Sequence, residues 1–314
     1  MNRFKILLNR RIIILLPILT GFILLSEACS RNSSSEKQIN IGTGEVMDLF
    51  NPTGKILTRI INTDISRNEV VAKDYATGGS SYNILKLLDG KFDCAIANDI
   101  PAVMAFRGEG HYKNLKDHNK LRSLCSFFCD SIIFVVNSKS GIASFADIKG
   151  KKIAIAGEGT ASIGDISKYM FEFYNIKPNE FTKINYNLSE SVEELEKGNI
   201  DGFLYVTALP NPYLIGLSHS DKIKYKFVQF SPELMKFLKK KYPSLSYIKI
   251  PADGEYTDTG NKAEITTLGS RALLLATTNM TDDIAYYLTK EICTYFPIYE
   301  KIHPAYKKVT PESM

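Results

Sequence analysis

Short β-rich runs and amphipathic segments take turns along this chain, and that alternation limits its fold more than any other feature. "QINIGTG" precedes "PTGKILTRIINTDIS", "EVVAKDYATGG" precedes "SSYNILKLLDG", and "FDCAIAND" leads into a mixed segment reaching residue 120. The pattern resumes with "SLCSFFCDSIIFVVN", "KKIAIAG", the helix-like "GDISKYMFEFYNI", "FTKINYN", the helix-like "SVEELEKGN" and "IDGFLYVTA". Strands alternating with helices predict an α/β fold with mostly parallel sheets covered by helices. At 314 residues and 44% hydrophobic content, the chain has enough apolar surface for two such lobes.

Particular residues carry the helix expectations. In "SSYNILKLLDG", Ile84, Leu85, Leu87 and Leu88 form one stripe, Ser80 or Ser81 is placed to cap the first free amides, and Gly90 suits the left-handed closing position. In "NPTGKILTRII", Asn51 is the expected cap and Pro52 occupies the first turn, where a missing donor costs nothing. Residues 281–296 read as a helix capped by Thr281 with two acids in its first turn. "KFLKKKY" (236–242) reads as a solvated helix face.

The first 28 residues have the form of an export signal. Arg3, Lys5, Arg10 and Arg11 precede the apolar "IIILLPILTGFILL", which is shorter than the roughly 20 residues of a spanning helix. "LLSEACS" then sets Ala28 before Cys29, and a polar tether runs to residue 38; this resembles a lipoprotein signal with Cys29 as the lipidated residue, although Ser26 and Glu27 depart from the usual box. Removing residues 1–28 lowers the formal net charge from +5 to +2, so the basic balance belongs largely to the signal and gives nucleic-acid binding no support. Cys94, Cys125, Cys129 and Cys293 lack paired zinc spacing, and four strand residues between Cys125 and Cys129 span about 13 Å, too far for a disulfide. Buried free thiols are expected, with a bridge formed after export as the alternative, and no metal site.

Four loops after strands are rich in groups that hold small polar molecules: "GTGEVMDLFNPTG" (42–54), "ATGGSS" (76–81), "GEGTAS" (157–162) and "VTALPNPY" (206–213), with Asn98-Asp99 beside them. In open parallel sheets ligands bind beyond the carboxyl ends of strands, where helix N-termini present free N–H groups. "GEGTAS" lacks the third glycine of a dinucleotide fingerprint, and there is no phosphate loop, H-E-x-x-H or G-x-S-x-G, so neither cofactor nor catalysis is indicated. Asp99 reads as a strand-end carboxylate for a ligand amine or a capping amide, with a buried base as the alternative. Phe50, Tyr205 and Tyr213 fall in or beside these loops, as core or as cleft wall.

Several longer blocks carry a family resemblance: "YATGGSSYNILKLLDGKFDCAIAND", "SIIFVVNSKSGIASFADIKGKKIAIAGEGT", "KGNIDGFLYVTALPNPYL" and "YYLTKEICTYFPIYEKIHPAYK". In order and spacing they resemble the TAXI-type solute-binding subunits of TRAP transporters. The resemblance implies a type II periplasmic binding protein: two α/β lobes joined by a hinge, closing on a small solute such as glutamate, another amino acid or a small carboxylate, and delivering it to a membrane permease. It implies a monomer without cofactor, lobe I from 39–134 plus 247–314, lobe II from 135–246, and hinge strands in "SIIFVVN" and "SYIKIPA". By matching position it assigns ligand contacts to Thr43, Gly44, Phe50, Asn51, Thr77, Gly78, Gly79, Ser80, Asn83, Asn98 and Asp99, and, across the cleft, to Gly159, Thr160, Ala161, Ser162, Tyr205, Pro210 and Asn211. The first loop, Glu158 and Asn98 depart from the family's pattern, so an altered ligand preference is expected; a Glu158 facing the cleft would repel an anion. Two alternatives stay open: a receptor of this fold serving an ABC importer or a sensor kinase, and an exported enzyme on the same scaffold.

Overall fold

The computed structural model describes residues 37–46, 48–63, 70–156, 162–252, 261–309 and 314. Residues 1–36, which hold the expected export signal and Cys29, and Glu158, Gly159, Thr160 and Ala161 lie outside the described residues. The first βαβα run comprises β1 (Lys37–Gly42), α1 (Phe50–Thr63), β2 (Val70–Tyr75), α2 (Ser80–Leu88), β3 (Cys94–Asn98) and α3 (Asp99–Arg107). After the long β4 (Leu121–Asn137) come β5 (Lys152–Ile155), α4 (Ser162–Tyr174), β6 (Thr182–Ile184), α5 (Leu188–Glu196), β7 (Gly202–Thr207), α6 (Pro212–Ser218), β8 (Tyr225–Phe227), α7 (Pro232–Lys241) and β9 (Ser246–Ile250). The chain returns through β10 (Ile265–Thr277), α8 (Asp282–Thr294) and α9 (Phe296–Ile302).

The main sheet path is β2-β1-β3-β10-β4-β7-β5-β6, with β8 beside β4 and β9 beside β10. The trios β2-β1-β3 and β7-β5-β6 are each parallel, as helical crossovers require. Between them β4 and β10 run antiparallel to each other and to their outer neighbours. The first part of β4, Leu121 to Ser131, lies against β10, and the second, Ser131 to Val136, against β7. These two strands thus join the lobes. The segment "SYIKI" does form a strand, but it pairs only with the Ile265–Gly269 end of β10.

Burial explains the composition of these strands. All of β3 and the Ile132–Val136 stretch of β4 are buried, and apart from Asn98 at the end of β3 both read as unbroken apolar runs because helices or loops cover each face. Ile41, Leu57, Ile61, Ile96, Phe127 and Leu274 form the first lobe's outer core with Leu288, Tyr299 and Tyr306 of the C-terminal segment. Val135, Leu195, Phe203, Leu214 and Tyr225 form a matching cluster in the second lobe, with Ile133 of the joining strand. A third cluster is shared: Ile84 and Ile100 of the first lobe and Phe134 of the joining strand belong with Phe145, Ile163 and Phe230 of the second.

Four local expectations need correction. The residue before α2 is Gly79, with no side-chain cap; Ser80 is already helical, and its hydroxyl takes the Asn98 N–H instead. Helix α1 starts at Phe50, so Asn51 lies inside it and donates to Thr43 Oγ1 at 3.3 Å. Among the described cysteines, Cys94 and Cys125 are buried, Cys129 is partly open and Cys293, on the outer side of α8, is exposed. Thr281 stands at the N-terminal boundary of α8 but makes no side-chain capping bond, so that expected cap is not formed either; Lys239, Lys240 and Lys241 end α7, where positive charge complements the helix carbonyls.

Candidate functional site

The loops at the ends of β1, β2 and β3 are tied to one another before they offer anything to a ligand. Thr43 donates through N and Oγ1 to the Tyr75 carbonyl at 2.9 and 2.8 Å. Thr77 Oγ1 lies 2.8 Å from the Thr43 carbonyl and 2.7 Å from Asn83 Oδ1, and its amide donates to Gly44 O at 3.2 Å. Asn83, fully buried, sends Nδ2 to the carbonyls of Thr43 at 2.5 Å and Ile96 at 2.7 Å. Thr43, Thr77 and Asn83 therefore act as clips that satisfy buried backbone groups, which would otherwise be costly.

Other residues of the same loops face inward. Glu45, Asp48, Phe50, Gly78, Gly79, Ser80 and Asn98 of the first lobe meet Ser162, Tyr205 and Val206 of the second, with Asp130 of β4 between them, around a void of about 30 Å³, room for about two waters. Gly79 holds φ 102° and ψ −159°, a conformation essentially restricted to glycine, which lets the backbone approach the void.

The two lobes touch through hydroxyls and an amide. Ser162 Oγ donates to Asn98 Oδ1 at 2.6 Å and lies 3.4 Å from Ser80 Oγ. Ser80 Oγ accepts the Asn98 amide at 3.0 Å, and Asn98 Nδ2 donates to Asp130 Oδ2 at 2.8 Å. A chain of contacts thus runs from α4, through the ends of α2 and β3, to the strand that joins the lobes.

The titratable groups at this junction are acidic, and their surroundings favour the protonated form. Burial, followed by the nearby Glu45 charge, raises the Asp48 carboxyl to about 7, although backbone N–H groups of Phe50 and Leu49 partly offset the rise. Asp130 is held well above the usual carboxylate range by burial and by the charge of Asp48, then of Asp99, against the opposing Asn98 bond. Glu45 is raised by burial and by Glu190 of α5. Tyr205 is raised by burial, with Asp48 and Glu45 adding to it. No Lys, Arg or His stands among the described lining residues.

Of the expected contacts, Phe50, Gly78, Gly79, Ser80, Asn98, Ser162 and Tyr205 come together around the void, whereas Thr43, Gly44, Asn51, Thr77 and Asn83 lie in the layer that supports it. Asp99 also stays off the lining, where its carboxylate accepts Ser270 Oγ at 2.5 Å and fastens α3 to β10. Asn211 caps α6, accepting the Tyr213 amide at 2.9 Å and donating to Thr207 Oγ1 at 3.0 Å. The Pro210 carbonyl accepts His303 Nε2 at 2.8 Å, while His303 Nδ1 accepts the Ala305 amide, which fixes one neutral tautomer. Glu45, Asp48, Asp130 and Val206 were not among the expected residues. The signal for Asp130 was in the sequence: a lone carboxylate in "SFFCDSIIFVV" is anomalous in a buried strand.

A larger cavity, about 630 Å³, opens on the other side of the joining strands. It is bordered by Phe128, Cys129, Ser131, Pro210, Ile248 and Arg271, among others, and is largely apolar. Cys129 and Ser131 face it while the intervening Asp130 faces the small void, the alternation expected of a strand. Volume alone would select this cavity. The convergence of strand ends and helix starts selects the other.

Chemically, the small site can accept and donate hydrogen bonds and neutralise positive charge. Among the described residues Ser162 and Ser80 pair with an amide rather than with a base, so they lack the activation that a nucleophile needs.

Among solved structures, the alkanesulfonate-binding protein SsuA from Xanthomonas axonopodis pv. citri, bound to MOPS, is 12% identical, with 86% of this chain and 76% of that one covered, at a TM-score of 0.51. A protein from Listeria monocytogenes named as an L-cystine ABC transporter is 13% identical, with 83% and 91% covered, at a TM-score of 0.52. At such identities the likeness establishes the fold, that of the periplasmic solute-binding proteins, as expected from the sequence. The sequence profile of the NMT1-like family matches residues 41–314. With that match spanning nearly all of the described chain, the protein belongs to the NMT1-like family.

Proposed function

We propose that this protein is an extracytoplasmic receptor that encloses a small polar solute between its two lobes and delivers it to a TRAP-type permease, as a TAXI-type subunit would. The carrying observation is the contact of Ser162 with Asn98 and Ser80, which closes the second lobe over the strand ends of the first. On this reading residues 39–134 plus 247–314 move against residues 135–246, and a ligand that binds across the gap favours the closed population. Anchoring through a lipid at Cys29 and a monomeric state complete the proposal. Within the solute range that the resemblance implies, an amino acid suits the lining better than a dicarboxylate, because the described lining offers hydroxyls and carboxyls and no cation.

The test is thermal unfolding of the full chain, purified in mild detergent, against amino acids, small acids, sulfonates and amines. A solute that binds only the native state adds about 2.7 kcal/mol at a hundred times its Kd, readily seen as a melting shift. A saturable shift without chemical change of the solute supports the receptor. Conversion of the solute, followed by mass spectrometry, would replace it with the enzyme reading.

A further inference from the structure

The surroundings of Asp130 satisfy only half of its carboxyl group. It is 2% exposed, in the middle of β4, with Oδ2 bound to Asn98 and Oδ1 buried without a hydrogen-bond partner. Its side chain borders the void. Asp48 receives backbone N–H groups at the start of α1, so a helix end explains part of its presence. Asp130 sits at no helix end. Leaving a buried acceptor unsatisfied costs free energy, more so for a charged group, and Asp48 and Glu45 face the same void.

A water in the void can bond the open Oδ1, but only a proton or a cation removes the repulsion among the three carboxyls that border it, and the remaining walls favour the cation. Phe50 and Tyr205 border the void, and aromatic faces attract a positive charge held near them. Aromatic rings rather than further oxygen ligands complete the described wall, which suits an organic cation. Resting on the receptor reading above, we infer that the solute carries a protonated nitrogen, as a primary ammonium, amidinium or guanidinium, that lodges against Asp130 and Asp48, and that it bears no net negative charge. This departs from the glutamate-like solute that the resemblance implies.

Proton coupling follows. The groups facing the two carboxylates are Glu45 from the same loop, Asp99 from α3, Tyr205 from β7 and Tyr306 from the C-terminal turn, each acidic or neutral. With no fixed cation among them, a proton held near neutral pH is released to solvent when the ligand cation takes its place.

Calorimetry on the full chain in detergent provides the test, with agmatine, putrescine, arginine and benzamidine set against glutamate, succinate and methanesulfonate, at pH 7 in phosphate and in Tris. The expected result is binding by at least one cationic probe, with heats that differ between the buffers as a released proton requires. Asp130→Asn should weaken it by roughly 30-fold or more, the scale of removing one partner of a buried charge pair. The buffer comparison stands even if that variant fails to fold. Binding of an anionic probe, or of a cation whose affinity Asp130→Asn leaves unchanged, would overturn this inference and leave the receptor intact. Folded protein that binds no probe of either sign would overturn both.

Discussion

At the scale of single residues, the strand-end loops divide their labour. Thr43, Thr77 and Asn83 spend their polar atoms on neighbouring backbone, while Ser80, Asn98 and Ser162 keep theirs at the cleft. The acidic residues behind the cleft give this scale its prediction. Asp48 titrates near 7 in the folded protein against an ordinary value near 4, so between those values the folded state binds more protons than the unfolded one. Stability therefore falls as pH rises through that window and levels above it. In urea unfolding, Asp48→Asn should become more stable relative to the parent from pH 4 to pH 7, since asparagine keeps the acceptor and loses the charge. A difference independent of pH would mean that the carboxylate is not desolvated. The sequence told which loops gather at the site but not which of their side chains turn inward: "EVMDLF" gives Glu45, Val46 and Asp48 similar standing, and only the packing of Phe50 and the turn from Glu45 to Asp48 decides among them.

At the scale of elements, alternation and burial made the parallel trios legible, because a strand covered on both faces has to be apolar throughout. The joining strands were harder. β10, "ITTLGSRALLLAT", mixes polar and apolar residues because its partners change from β9 to β3 along its length. Its register against β4 also shifts between Ala272 and Leu273 and between Leu274 and Leu275, bulges that interrupt any simple period. Gly202 tests how tightly β7 is seated against β4. A Cβ there would come within 2.7 Å of the Val135 carbonyl oxygen and of Val136 Cγ1, and the carbonyl belongs to a strand that cannot move alone. Gly202→Ala should cost about 1–3 kcal/mol in chemical denaturation, the usual range for overpacking. It should also loosen the placement of Tyr205, three residues along the same strand.

At the scale of the whole molecule, the lobes share more than their joining strands. The cluster containing Ile100 and Ile163 continues across them, so opening must expose part of an apolar surface as well as break the Ser162 contacts. Ser162→Ala removes only the polar part of that closure. Small-angle scattering without solute should then give a larger radius of gyration than the parent, and a saturating solute should bring the two together; identical curves throughout would mean that the Ser162 bridge does not hold the lobes. The position of β4 between two cavities has a practical consequence as well. Cys129 is one residue from Asp130 yet opens on the far side, and the other partly accessible thiol among the described residues, Cys293, is distant in sequence and on an outer helix. With Cys293 replaced by serine, a thiol-reactive fluorophore on Cys129 would sit outside the cleft on the very strand that carries its carboxylate, making the protein an optical reporter of its own occupancy.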